Sequence, residues 1–144
     1  LNGRPRLFTL PEANALIPDL EKYLREYMLK KEACERLHDY YFMDELLYQK
    51  EASASNMKNG RLDEEAVKLD AYAAEMRQIA ERILEFGCIV RHLEKGLIEF
   101  FSRRNDEPVY LCWRRGEAKI RYYRRVRSKD PERELILNGS TEEV

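Results

Sequence analysis

The sequence predicts an α+β protein, with a long antiparallel helical hairpin followed by a small antiparallel three-stranded sheet. Three observations carry that expectation. Thr9-Leu10-Pro11-Glu12 reads as a helix start. Apolar residues then recur at spacings of three, four and seven through two long segments, the mark of a helical face. After Lys95-Gly96 the period drops to two, which is strand behaviour.

The first helix is placed at residues 8–50. The Thr9 hydroxyl can cap it, Pro11 suits the first turn because its missing N–H has no helical partner there, and Glu12 can return a bond to the Thr9 backbone. Leu16, Leu20, Leu24, Tyr27, Cys34, Leu37, Tyr41 and Tyr48 then mark one face. Pro18 lacks a donor and crowds the preceding turn, so a kink or restart is expected near it.

Glu51 to Arg61 breaks the pattern. Its Ser, Asn and Gly residues favour local side-chain bonds or unusual backbone angles, so a loop is expected, centred on residues 53–60. Asn59-Gly60 within it is a deamidation candidate. The second helix is placed at residues 62–95. Leu62, Leu69, Met76, Ile83 and Val90 repeat every seven residues, with Ala66, Ala73, Ala80 and Gly87 four behind each. Bulk on one stripe and small residues on the other suit hairpin or dimer packing.

The sheet is placed at residues 97–125. Val109, Leu111 and Trp113 alternate with Tyr110, Cys112 and Arg114, and Ile120 and Tyr122 alternate with Arg121 and Tyr123. Strands are expected at 97–102, 108–114 and 119–125, with turns at Asn105-Asp106 and Arg115-Gly116. The parity points Trp113 to the core and Cys112 and Arg114 to the other face. The tail, 129–144, holds a short extended piece at 134–137 and frays at its end. All 144 residues are expected to form one domain.

Composition bounds the function. Charged residues make up 37% of the chain, but 26 Lys and Arg nearly cancel 27 Asp and Glu, so no global charge draws it to nucleic acid or membrane. The distribution is uneven: residues 103–129 carry +7 and the remainder −8. That suits a basic sheet docking on acidic helices, or a partner-binding face. Cys34, Cys88 and Cys112 are odd in number with no paired spacing, as expected for free thiols in a reducing, cytoplasmic setting. No run of apolar residues is long enough for a membrane span, and LNGRPRLF lacks the apolar core of a signal peptide.

The phrases FTLPEANALIP at 8–18, GLIEF at 96–100, LCWRRGE at 111–117 and IRYY at 120–123 stand in the order seen in the small prokaryotic domain family of unknown function numbered 2203. From about Phe8 to Ile136 the chain resembles that family. The resemblance implies two long helices followed by a small sheet, and brings no activity with it. The family pattern often carries a Trp-His pair where this chain has Tyr123-Arg124, and a Gly-rich phrase where it has Ser128 to Glu132.

No complete catalytic or metal motif appears. Glu99 and Glu117 could share acid–base work, but salt bridges to Arg114, Arg115 or Arg121 are the simpler reading. His38 and His92 are the only histidines. One E-x-x-H spacing, Glu35 to His38, falls short of the two that a di-metal bundle site needs, and His92 suits a helix C-terminus. No metal and no cofactor are expected. Cys112 reads as buried and inert.

Two readings follow. The first is a non-enzymatic dimerisation or protein-interaction domain, with self-association as its main partnership. Tyr40, Tyr41, Phe42, Leu46, Leu47 and Tyr48 supply more apolar surface than one stripe needs. The second is a small-ligand module or enzyme with Glu99, Arg114 and Glu117 converging in a pocket at the helix–sheet junction. Nucleic acid is expected to bind at most weakly, through Arg121 and Arg125, because the basic residues spread over both faces and both ends of the sheet.

Overall fold

A computed structural model describes residues 6–50, 56–127 and 133–136. Its order is α1 (Leu10–Ala15), α2 (Ile17–Lys50), α3 (Asn56–Glu85), β1 (Ile89–His92), β2 (Leu97–Arg104), β3 (Glu107–Arg114), β4 (Tyr122–Arg125) and β5 (Glu134–Leu135). The architecture is α+β, with helices followed by an antiparallel sheet. The sheet has five strands, paired in sequence order as a meander, rather than three.

The capping box forms. Glu12 N donates to Thr9 Oγ1 at 3.2 Å and Thr9 N donates to Glu12 Oε1 at 2.9 Å. The expected restart falls at Leu16, whose N–H reaches back to Ala13 O, and α2 begins at Ile17 with Pro18 in its first turn, where no donor is required. The predicted single helix over residues 8–50 is therefore two.

The second helix differs at both ends. Asn56 to Arg61 is helical rather than loop, while the rest of the expected break, 51–55, lies outside the described residues. At the other end α3 stops at Glu85. Gly87 takes a left-handed conformation (φ 89°), with its N–H bonded to Leu84 O, a helix-ending geometry. A Cβ on Gly87 would come within 2.7 Å of the Arg6 Cβ. Residues 89–92 are then strand, so Val90 and His92 lie in β1 and not at a helix end.

β2 and β3 are joined by the two-residue turn Asn105-Asp106, both with positive φ (52° and 62°), the hairpin geometry whose twist matches the strands. β4 starts at Tyr122; Lys119 to Arg121 precede it, where Ile120 is buried and its N–H donates to Asn14 Oδ1 at 2.8 Å. Within the expected tail piece at 134–137, Glu134–Leu135 is strand and Leu137 lies outside the described residues, as do the final residues 138–144.

The chain divides into two compact units. The described residues of 1–25 and 80–144 form one, and residues 26–79 the other. In the first, one face of the sheet carries Ile98, Phe100, Val109, Leu111, Trp113 and Tyr123, all buried. Phe8 packs edge-on against Phe100 at 5.1 Å between ring centres, and Leu20, Leu24 and Ile83 complete the layer. Ser102 Oγ donates to Phe8 O at 2.6 Å, tying the entry of α1 to β2. In the second unit α2 and α3 are linked by an ion pair between Lys30 and Glu75 at 2.9 Å.

Candidate functional site

Strand register dictates what gathers on the other face of the sheet. Glu99 of β2 stands opposite Cys112 of β3, which stands opposite Tyr122 of β4. Residues two along from these share the face. That places Arg91, Leu97, Phe101, Tyr110, Arg114 and Arg124 around the Glu99–Cys112 pair. A bulge between Val90 and His92 adjusts β1 beside it.

Glu99 is the centre of the cluster. Its residue is only 8% exposed, yet it stays charged because two guanidinium groups reach it. Arg91 Nε donates to Oε1 at 2.6 Å. Arg124 makes a two-pronged contact, Nε to Oε2 at 2.7 Å and Nη2 to Oε1 at 2.9 Å. Burial pushes the carboxyl pKa up, but the hydrogen bonds and charges of Arg124 and Arg91 outweigh it and hold the group below its ordinary 4.5.

Cys112 lies beneath this pair. Its thiol is 3.6 Å from Glu99 Oε2 and 3.5 Å from Tyr110 O. Burial, and then the negative charge of Glu99, push its pKa up to about 12. It is a protonated, inert thiol at neutral pH, since the thiolate is the nucleophile. The aromatic rings are covered in turn. Arg91 and Arg124 lie over Tyr110 at 4.9 and 4.6 Å, and Arg133 lies over Tyr122 at 4.1 Å.

Around these groups is a hollow of about 340 Å³ lined by Arg91, Glu99, Cys112, Arg114, Arg124 and Arg133, with parts of Leu97, Ile98 and Trp113. It lies on the sheet face turned away from the buried layer. Glu99 and Arg114 both line the hollow. Glu117 does not; it sits in the turn after β3. There its Oε1 accepts from Arg114 N at 2.7 Å, its carbonyl accepts from Trp113 Nε1 at 2.8 Å, and Arg133 reaches the carboxylate at 3.5 Å.

Some of the basic residues pair with acids close by in the sheet region. Arg125 has Glu134 at 3.6 Å and Glu107 at 3.9 Å. Arg124 has Glu99. Arg121 is exposed and precedes β4, its carbonyl accepting from Ile136 N. Glu99 pairs with none of Arg114, Arg115 or Arg121. Its partners are Arg91, which falls inside the helix expected at 62–95, and Arg124, which the sequence marks only as one of several arginines and as the residue in the family's Trp-His position. The register Glu99–Cys112–Tyr122, counted outward from the Asn105-Asp106 turn, is the signal that would have found Arg124.

A second hollow, about 410 Å³, lies within the helical unit and is lined by Lys31, Cys34, Glu35, His38, Asp39 and Met76. It holds the single E-x-x-H spacing. Among the described residues no group of three or more His, Cys, Asp or Glu side chains is arranged to hold a metal ion. The three cysteines are free. No helix among the described residues is long and apolar enough to cross a membrane.

No curated protein and no solved structure gives a significant match to the chain. A family of uncharacterized conserved proteins, DUF2203, matches residues 6–136, a span that takes in the capping box of α1, all five strands and the Glu99 cluster. The chain belongs to the DUF2203 family.

Proposed function

We propose that the protein is a non-catalytic interaction domain of the cytoplasm that pairs with a second copy of itself through a coiled coil along α2 between Leu29 and Leu47. One observation carries this reading. Leu29, Tyr40, Met43 and Leu47 are 59%, 64%, 55% and 45% exposed, and at about 100° per residue they fall within about 60° of helix arc. Tyr27, Lys31, Cys34 and Tyr41, on the opposite side, are half-buried. A soluble helix that leaves such a stripe bare has a partner to cover it.

The stripe is complementary to itself. Antiparallel pairing centred on His38 sets Leu29 against the partner's Leu47, the small Ala33 against the partner's Met43, and Arg36 against the partner's Tyr40, a cation–π geometry. Each contact occurs twice about the two-fold axis. Leu46, also exposed, lies beside the stripe on one flank. The chemistry of the sheet supports the non-catalytic half of the reading. Cys112 is held protonated, and Glu99 is locked between two guanidinium groups, which makes it a weak base and no acid.

Sedimentation equilibrium tests the pairing. A dimer is expected at tens of micromolar, and a monomer when Met43 and Leu47 are both replaced by Glu. A wild-type chain that stays monomeric at high micromolar concentration, or a double variant that still dimerises, overturns it.

A further inference from the structure

We propose that the hollow on the open face of the sheet is a binding site for a small organic dianion, either a phosphate monoester or a dicarboxylate. The inference stands independently of the pairing proposed for α2. Four guanidinium groups line the hollow, those of Arg91, Arg114, Arg124 and Arg133, while Glu99 is the one carboxylate among the described residues that line it. Even with Glu117 counted at the margin, two positive charges remain in excess.

Their donors are far from used. A guanidinium carries five N–H donors. Arg124 spends two on Glu99 and Arg91 spends one. Arg133 meets Glu117 only at 3.5 Å. The side chain of Arg114 has no carboxylate within salt-bridge distance among the described residues. Planar forks of this kind match the oxygens of phosphate and carboxylate groups, which is the shared chemistry of the two ligand classes.

Glu99 gives the site its shape. It fixes Arg91 and Arg124, and both are stacked on Tyr110, so two of the four cations are rigid before a ligand arrives. Preorganisation of this sort lowers the cost of binding. At about 340 Å³ the hollow is in the range of small-ligand sites, and larger than a bare inorganic anion needs. The tyrosine rings on the same sheet face argue against a nucleic-acid platform. Tyr110 and Tyr122 already carry guanidinium groups on their faces, where a base would have to stack.

Calorimetric titration of the full chain with phenyl phosphate and, separately, with succinate at constant ionic strength tests the site. Saturable binding of one of them at one site per chain is expected, and which one binds identifies the ligand class. Arg114→Gln and Arg133→Gln leave the Glu99 contacts intact, and each should weaken binding by about tenfold or more. Arg121→Gln, outside the hollow, should leave it unchanged. Failure of both ligands to saturate overturns the proposal. So does binding that survives both substitutions in the hollow, or a single-stranded RNA that binds more tightly than either ligand and depends on Arg121.

Discussion

The two units of this chain satisfy their hydrophobic residues in different ways. In the sheet unit Phe8, Leu20, Leu24, Ile83, Ile98, Phe100, Leu111 and Trp113 are all essentially inaccessible. In residues 26–79, Ile79 is the one hydrophobic residue in the buried class among the described residues, while Leu29, Tyr40, Phe42, Met43, Leu46, Leu47 and Val67 are exposed. The first unit closes its own core. The second presents on its surface the kind of residue that the first hides. Burial of a large apolar side chain is worth roughly 1.5–3 kcal/mol, so several left bare make a standing reason to associate.

The largest effect should come from Trp113. It is 1% exposed, and its indole N–H donates to the Glu117 carbonyl that closes the turn after β3. Trp113→Ala should cost about 3–5 kcal/mol of unfolding free energy, read from urea titrations. Leu29→Ala, an exposed site, should change the unfolding free energy of the isolated chain by no more than about 0.5 kcal/mol and act instead on self-association. Equal losses from the two substitutions would erase the contrast between the units.

Next comes Glu99. Glu99→Gln keeps the shape but removes the charge that Arg91 and Arg124 face, and should cost about 1–3 kcal/mol. The pH dependence supplies the sign. The folded-state pKa lies below the ordinary 4.5, so the contribution is fully present above that value and is lost as pH falls through the lower folded pKa. Acid titration of stability should be steeper in the wild type than in Glu99→Gln. Parallel acid limbs would show that the carboxylate is not held as the geometry indicates.

The parts of this structure that could be read beforehand are those fixed by neighbours in sequence. Thr9 and Glu12 cap a helix three residues apart, Asn105-Asp106 makes its own turn, and the alternation of Val109, Leu111 and Trp113 states which face is inside. β1 was hidden because Val90 continues the seven-residue spacing of Ile83. A single further member of that repeat cannot overrule a helix stop, and Gly87 is that stop. The Glu99 cluster was hidden for a different reason. Arg91 and Arg124 lie 8 and 25 residues from Glu99. Only the full strand register, including a strand the periodicity had given to a helix, brings them together.

The mildest probe substitutes nothing and compares the units through their thiols. Cys88 and Cys112 belong to the sheet unit and are buried, and Cys34 belongs to the helical unit and is half-buried at the edge of its hollow. Cys88 donates to Ile83 O at 3.3 Å, and burial raises its pKa to about 11. Cys112 is raised to about 12, by burial first and then by Glu99. At pH 8 the thiolate fraction of either is on the order of one in a thousand or less, and only the thiolate attacks a disulfide reagent. Native protein mixed with Ellman's reagent should therefore release about one equivalent of thiol promptly and the other two only as the sheet unit opens, with all three released at once in denaturant. The same two groups contribute to the loss of stability at alkaline pH. Their folded pKa values lie above the ordinary 9.0, so the protonated form is favoured in the fold, and their contribution is intact below 9.0 and is lost as pH rises toward 11 to 12. Three thiols reacting together in the native protein would mean that the sheet unit opens as readily as the helical one, and the difference between the two units would then lie only in their static packing.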